Sequence, residues 1–375
     1  MAKISEVFDL QMGKTPARAN EEYWINGATK WVSIGDLSGY EKYVEDTKEK
    51  ITDLAVAESG IKAVPSDTVI MSFKLSLGKV AITKTPVYTN EAIMAFLPKH
   101  GQSILPDYFY HYFSSIDWSK GTNRAVMGVT LNKATLGEME IQIPSMVKQV
   151  EIADRLNKID ELISLRKQQL AKLDELVKAR FVELFGDPYI NDKNWTMKTF
   201  GDICTVRQGL QIPISKRLTQ YEEDCYEYIT VAYLHGSKDR EYIKSPKSTV
   251  ICTKDDILMT RTGNTGMVVT DVEGVFHNNF FLIDFDRTKY SKRFLVEYLN
   301  LDLIQTEIIK RAGTSTIPDL NHGQFYAISI YEPPIELQNK FATFVEQTDK
   351  SKLTVQQSLD KLELLKKALM QKYFG

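Results

Sequence analysis

The 375-residue sequence is poor in the features that announce chemistry. Its three cysteines, Cys204, Cys225 and Cys252, are odd in number and lack Cys-x-x-Cys spacing, so reduced thiols fit better than a disulfide framework or a zinc site. The five histidines, His100, His111, His235, His277 and His322, form neither an HxxxH nor an HExxH pair, so no metal is expected. No run approaches the roughly 18 apolar residues that span a bilayer. The opening Met1-to-Leu10 segment lacks a signal-peptide core, so a cytoplasmic chain without a membrane role is expected. Charge of one sign is missing as well: 47 Lys+Arg stand against 49 Asp+Glu, a net charge of -2. No global basic excess marks nucleic acid, and no acidic excess marks a solvating tail.

Catalytic motifs are also missing. Arg261-Thr-Gly-Asn-Thr-Gly266 lacks the Gly-Lys-Ser/Thr of a phosphate loop and reads as a hairpin turn. Glu332-Pro-Pro-Ile335 lacks the leading amide and the aromatic of an amino-methyltransferase motif, and no Gly-rich AdoMet loop accompanies it. Pro106-Asp107 and Pro318-Asp319 open like a nuclease motif without its Glu/Asp-x-Lys partner. A protein without an active site of its own is the expectation.

What the sequence does contain is a duplication. Shifted by 189 positions, residues 144–186 align without a gap on 333–375, and 13 of the 43 pairs are identical, from Pro144/Pro333 and Gln149/Gln338 to Phe185/Phe374 and Gly186/Gly375. Upstream the match is weaker: Asp67-Thr-Val-Ile-Met-Ser72 parallels Asp255-Asp-Ile-Leu-Met-Thr260, with Gly78 opposite Gly266, Asn90 opposite Asn278 and Leu131-Asn132 opposite Leu320-Asn321. Each copy is a variable globular part followed by a better-matched tail.

The tails read as helices of about 40 residues, about 60 Å long. Pro144 and Pro333-Pro334 set off their starts, and Gly186-Asp187-Pro188 stops the first. Leu156, Ile159, Ile163, Leu170, Leu173, Val177 and Leu184 recur at three- and four-residue spacing, broken by Arg166 and Arg180. The second tail carries Val345, Val355, Leu359, Leu362, Leu369 and Tyr373, with Thr348, Lys352 and Lys366 as polar breaks. Such a seam predicts coiled-coil packing of one tail on the other. The alternative, each helix packed on its own globular part, strains against a helix longer than a domain of that size. The expected fold is α+β: two β-rich mixed domains at 1–145 and 188–333, related by duplication, with long helices at 146–187 and 334–375.

The globular parts offer polar and basic side chains in loops. The first has Lys14, Thr15, Lys74, Lys79, Asn123, Arg124 and Asn132. The second has Arg207, Gln208, Gln211, Lys216, Arg217, Arg261, Asn264, Thr314, Ser315, Asn321 and His322. Arg, Lys, Asn and Gln can read guanine and adenine edges, while Lys, Thr and Ser hold phosphates. Several recur at matching places in both copies.

With these pieces in order, the sequence resembles the specificity (S) subunits of type I restriction-modification enzymes. The resemblance spans the chain and rests on the doubled domain-plus-helix plan. It rests also on Glu6-Val-Phe-Asp-Leu-Gln-Met-Gly-Lys-Thr-Pro16, Trp31-Val-Ser-Ile-Gly-Asp-Leu37, Asp256-Ile-Leu-Met-Thr-Arg-Thr-Gly-Asn-Thr-Gly266 and the stretch Leu320 to Gln338, whose strand-Pro-Pro-x-x-x-Gln entry into the helix is typical. It implies two target-recognition domains, each reading one half of a split, asymmetric site in double-stranded DNA, separated by antiparallel helices that set the spacing. It implies as partners two modification (M) methyltransferase subunits and restriction (R) subunits. No cofactor is expected on this chain; AdoMet, ATP and Mg belong to the partners. The helices sum to +3 and the remainder to -5, so any DNA-facing basic surface is local. Two other classes compete: a protein-binding scaffold with a coiled-coil dimerisation arm and no DNA role, and an enzyme with an unfamiliar site.

Overall fold

The sequence repeat is a repeat of sheets. The computed structural model describes all residues except 75, 119–122, 126–127, 238 and 314–317, and only the backbone of 123–125 and 128–130. The chain divides into two units, residues 1–167 with 357–375, and residues 168–356.

In the first unit, Phe8–Met12 (β1), Tyr43–Val44 (β2), Val69–Ser72 (β3), Val80–Thr83 (β4) and Ile93–Pro98 (β5) form a sheet in the order β1-β5-β3-β4-β2. Every pairing is antiparallel except β2 with β4. The central strands β3 and β4 are buried throughout, and apolar up to Ser72 and Thr83, because both faces are covered. Val69, Met71, Val80, Ile82, Met94 and Phe96 point into one core, and Ile70, Ala81, Ile93 and Ala95 into another. This is the two-residue alternation of a sheet buried on both sides. The Tyr108-to-Phe113 segment is the core of a helix, Pro106–Ser115 (α1), whose aromatic face closes the first core.

The first long helix begins at Met146 and runs to Phe185 (α2), 40 residues in one piece. In the second unit, Cys204–Gln208 (β6), Ile257–Thr260 (β7), Val268–Val269 (β8) and Phe280–Phe285 (β9) form an antiparallel sheet in the order β6-β9-β7-β8. Again alternate residues serve two cores: Ile257, Met259, Phe281 and Ile283 on one face, Leu258, Phe280 and Leu282 on the other. Arg261–Gly266 is the turn between β7 and β8, and Gly266 has φ +89°; a Cβ there would stand 2.9 Å from Gln305 and Ile308. Lys292–Leu299 (α3) closes the first of these cores, and Ile335–Phe374 (α4) is the second 40-residue helix.

The two long helices run antiparallel within each unit. In the first unit Arg155 Nη1 donates to Tyr373 Oη (3.2 Å), Lys366 pairs with Asp160 (2.5 Å) and Arg166 Nε donates to Ser358 Oγ (3.2 Å). In the second, Lys352 pairs with Asp174 (2.6 Å), and Phe181 meets Phe341 edge-on at 5.4 Å. The polar breaks in the seam therefore have partners: Lys352 and Lys366 are bridged to the facing helix, and Thr348 Oγ1 donates to its own helix at Phe344 O (3.0 Å). Of the seam, Leu156, Ile159, Val177, Val345, Val355 and Leu359 are buried, and Ile163, Leu170, Leu173, Leu184, Leu362 and Leu369 are half-buried.

The helices also pack on the globular parts. Ile152, Ala153 and Leu156 belong to the first core, and Phe181, Phe185, Phe341 and Val345 to the second unit's core. Phe181 and Phe185 lie off the seam read from the sequence, on the side that α2 turns to α3. Helix-on-helix and helix-on-domain packing are both present, and Phe181 takes part in both. All three cysteines are buried and unpaired, and burial pushes the Cys204 thiol up to about 12 and Cys252 up to about 11. Among the described residues no helix is long and apolar enough to cross a membrane, and no cluster of His, Cys, Asp or Glu could hold a metal ion.

Candidate nucleic-acid interface

One end of the main sheet carries the exposed polar loops in each unit. In the second unit these are the segment after β6, the β7–β8 turn and the segment leading into β9. Gln208 Nε2 donates to Asn278 O (3.2 Å), and Asn278 Nδ2 reaches Gln211 Oε1 (3.4 Å). Arg261 N donates to Asn279 O (2.7 Å), tying the β7–β8 turn to the same edge. Asn264, exposed at the tip of that turn, lies 3.5 Å from His235 Nε2. His277 sits beneath: burial, then the charge of Arg217, holds it below the usual histidine range, and its Nδ1 accepts from Asn279 N (3.1 Å).

The first unit repeats the arrangement with other chemistry. Asn90 stands where Asn278 stands, and its Nδ2 donates to Thr15 Oγ1 (3.0 Å). Thr15 in turn donates to Glu91, and Asn90 Oδ1 accepts from Ala92 N (2.8 Å). Gly13 and Gly209 bring the chain against this segment: a Cβ on Gly13 would lie 2.2 Å from Thr89 O, and one on Gly209 2.2 Å from Phe276 O. Lys14 Nζ is held by Ser59 O, Lys74 lies over the Phe73 ring at 5.3 Å, and Lys79 is exposed.

Several residues singled out by type have structural work. Asn132 and Asn321, the repeated Leu-Asn pairs, are helix N-caps, accepting from Thr135 N (2.8 Å) and Gln324 N (2.9 Å). Arg217 clamps the loop at Ile212 O with Nε and Nη2 (2.8 and 2.7 Å), pairs with Glu241 (3.0 Å) and lies over Tyr228. Arg207 Nη1 donates to Thr249 O (3.0 Å), and Arg261 pairs with Asp319 (2.6 Å). His322 packs edge-on against Phe281. Gln208, Gln211, Lys216 and Asn264 are exposed. Asn123, Arg124, Thr314 and Ser315 lie outside the residues whose side chains are described. Asn90, Glu91, Asn278 and Asn279 were not singled out, although the opposition of Asn90 and Asn278 in the repeat was the signal that could have found them.

Polar groups are left open at this edge in both units, Thr89 Oγ1 in the first and several in the second. Arg207 Nε, Arg261 Nε, Asn278 Oδ1 and His322 Nε2 are buried without a hydrogen-bond partner. Each such group costs about 1–3 kcal/mol.

Elsewhere Asp107, in the nuclease-like Pro-Asp, is bound to Lys42 and also receives Asn157 Nδ2 (3.3 Å). Glu332 is bound to Lys198 and Tyr290. Both serve the junction of domain and helix.

Comparison with known proteins agrees with this architecture. The sequence pattern of the type I restriction modification DNA specificity domain matches residues 1–175 and again 192–364. The chain belongs to that family, with two copies of the domain. It is 26% identical to the type I restriction enzyme MjaIX specificity subunit of Methanocaldococcus jannaschii, over 99% of this chain and 91% of that one. It is 22% identical to the EcoprrI specificity subunit of Escherichia coli, over 92% and 86%. The S subunit of M. genitalium has the same fold, with a TM-score of 0.60 at 16% identity over 100% of this chain and 95% of that one. A solved structure described as bearing on complex assembly and conformational transition of the type I R-M system gives 0.62 at 14% identity, over 100% and 96%. The family and the α+β fold with two domain repeats and long helices, expected from the sequence, are thereby shown.

Proposed function

We propose that this specificity subunit is the non-catalytic DNA reader of a type I restriction-modification complex in the cytoplasm. Each globular domain reads one half of a bipartite, asymmetric site in double-stranded DNA. The helix pair sets the gap between the halves and docks two M subunits, to which R subunits add; AdoMet, ATP and Mg act on those partners. The observation that carries this reading is the pair of equivalent sheet edges, built on the same Gly and Asn positions yet lined by different side chains. A shared frame with divergent rims is what two readers of different half-sites need. Leu162, Leu165, Leu364 and Leu365, exposed on the long helices, support docking.

The test is exchange. Replacing residues 1–145 with the corresponding domain of a relative should change one half of the recognised sequence and leave the other. A change in both halves contradicts the modular reading. A chain that binds M subunits but retains no DNA favours the scaffold instead.

A further inference from the structure

The second unit's sheet edge carries a pair of side-chain amides tied to one residue, Gln208 at the Asn278 backbone carbonyl and Gln211 at the Asn278 side chain. Gln208 gives its Nε2 to Asn278 O, which leaves its Oε1 as an acceptor at the exposed rim. Gln211 receives Asn278 Nδ2 on its Oε1, which leaves its Nε2 as a donor on the same rim. One residue, Asn278, thus orients a donor and an acceptor in opposite senses. At the matching place in the first unit Asn90 holds Thr15, which is bound to Glu91, where the second unit has the amide pair.

Resting on the DNA-reading function proposed above, we infer that Gln208 and Gln211, positioned by Asn278, read an adenine edge in the major groove of the half-site contacted by the second unit. Adenine presents an acceptor at N7 beside an amino donor at N6, which a rim offering one donor and one acceptor satisfies together. Guanine presents two acceptors there, which would leave the Gln208 oxygen facing an oxygen.

The full chain, assembled with its M subunits, would be incubated with a random-sequence duplex library and the bound DNA sequenced. Wild type is expected to enrich two motifs, one with a required A·T pair. The double variant Gln208→Ala/Gln211→Ala should relax that pair to any base, weaken binding to the wild-type site about tenfold to a hundredfold, and leave the other motif intact. Asn278→Ala, which frees Gln211 but keeps the backbone carbonyl that holds Gln208, should weaken the preference at the same position without abolishing it. Because Gln208 and Gln211 are exposed, the double variant should melt with wild type. Lys79→Ala, in the first unit, should leave the A·T pair required.

An unchanged motif in the double variant overturns the assignment, as does relaxation at a position where wild type requires G·C. A wild-type chain that enriches no sequence overturns instead the DNA-reading function on which the assignment rests.

Discussion

Gln149 and Gln338 make the same three hydrogen bonds in the two units. Gln149 Oε1 accepts from Leu105 N (2.9 Å), and its Nε2 donates to Ser103 O (2.9 Å) and Pro144 O (3.0 Å). Gln338 Oε1 accepts from Ser291 N (2.9 Å), and its Nε2 donates to Lys289 O (2.9 Å) and Pro333 O (2.8 Å). Both side chains are fully buried. Each fastens the first turn of a long helix to the strand leaving the domain and to the segment entering α1 or α3. Replacing either by Ala removes three hydrogen bonds from a fully buried side chain, so a loss of about 2–4 kcal/mol is expected in urea unfolding. A loss below about 0.5 kcal/mol would show that the lock carries no stability.

The same register places His111 of α1 opposite Glu297 of α3, six residues beyond the amides that the glutamines receive. Burial lowers His111 to about 4, against support from Asn157, whose Oδ1 lies 2.8 Å from its Nε2, and from Asp160. Lys42 and Lys366 also face it and oppose its protonation. The unfolded chain therefore binds the histidine proton first on acidification, and stability falls as pH drops from about 6.5 through about 4. The shift corresponds to on the order of 3 kcal/mol once both states are protonated. Glu297 is raised by burial, opposed by Arg293 and Lys352, so it contributes in the other direction: its share of stability declines as pH rises above its ordinary 4.5. His111→Gln should flatten the acid side of a stability-versus-pH curve measured in urea. An unchanged acid slope would show that His111 does not titrate across unfolding.

The helix seam separates leucines only a few residues apart. Leu359 is 6% exposed and Leu364 is 69% exposed on the same helix. Leu359→Ala should cost about 2–4 kcal/mol, whereas Leu364→Ala should stay within about 0.5 kcal/mol. Thermal melts of the two variants, compared with wild type, check this. Equal losses would place both in the packed seam.

The long helices were legible because their signals are local: Pro at the start, Gly at the stop, apolar residues at fixed spacing between. The strands Val69–Ser72 and Ile257–Thr260 were legible as short apolar runs beside glycine turns. Phe181 and Phe185 were missed because they pack on α3 as well as on Phe341 of α4, and no spacing within α2 records the contact with α3. The site was legible only by residue type. Asn132 and Asn321 recur because helices need caps. Arg261 is bound by a carboxylate 58 residues away, and Arg217 by one 24 residues away; neither pairing is written in local sequence. Asn278 matters through two loops that meet only when β6 pairs with β9.

The most direct measurement is selection of bound duplexes from a random library by the wild-type chain with its M subunits, at two salt concentrations. The account predicts two short motifs at one fixed gap, with affinity falling steeply as salt rises and phosphate contacts are lost. A single contiguous motif, or two motifs at variable gaps, would contradict it.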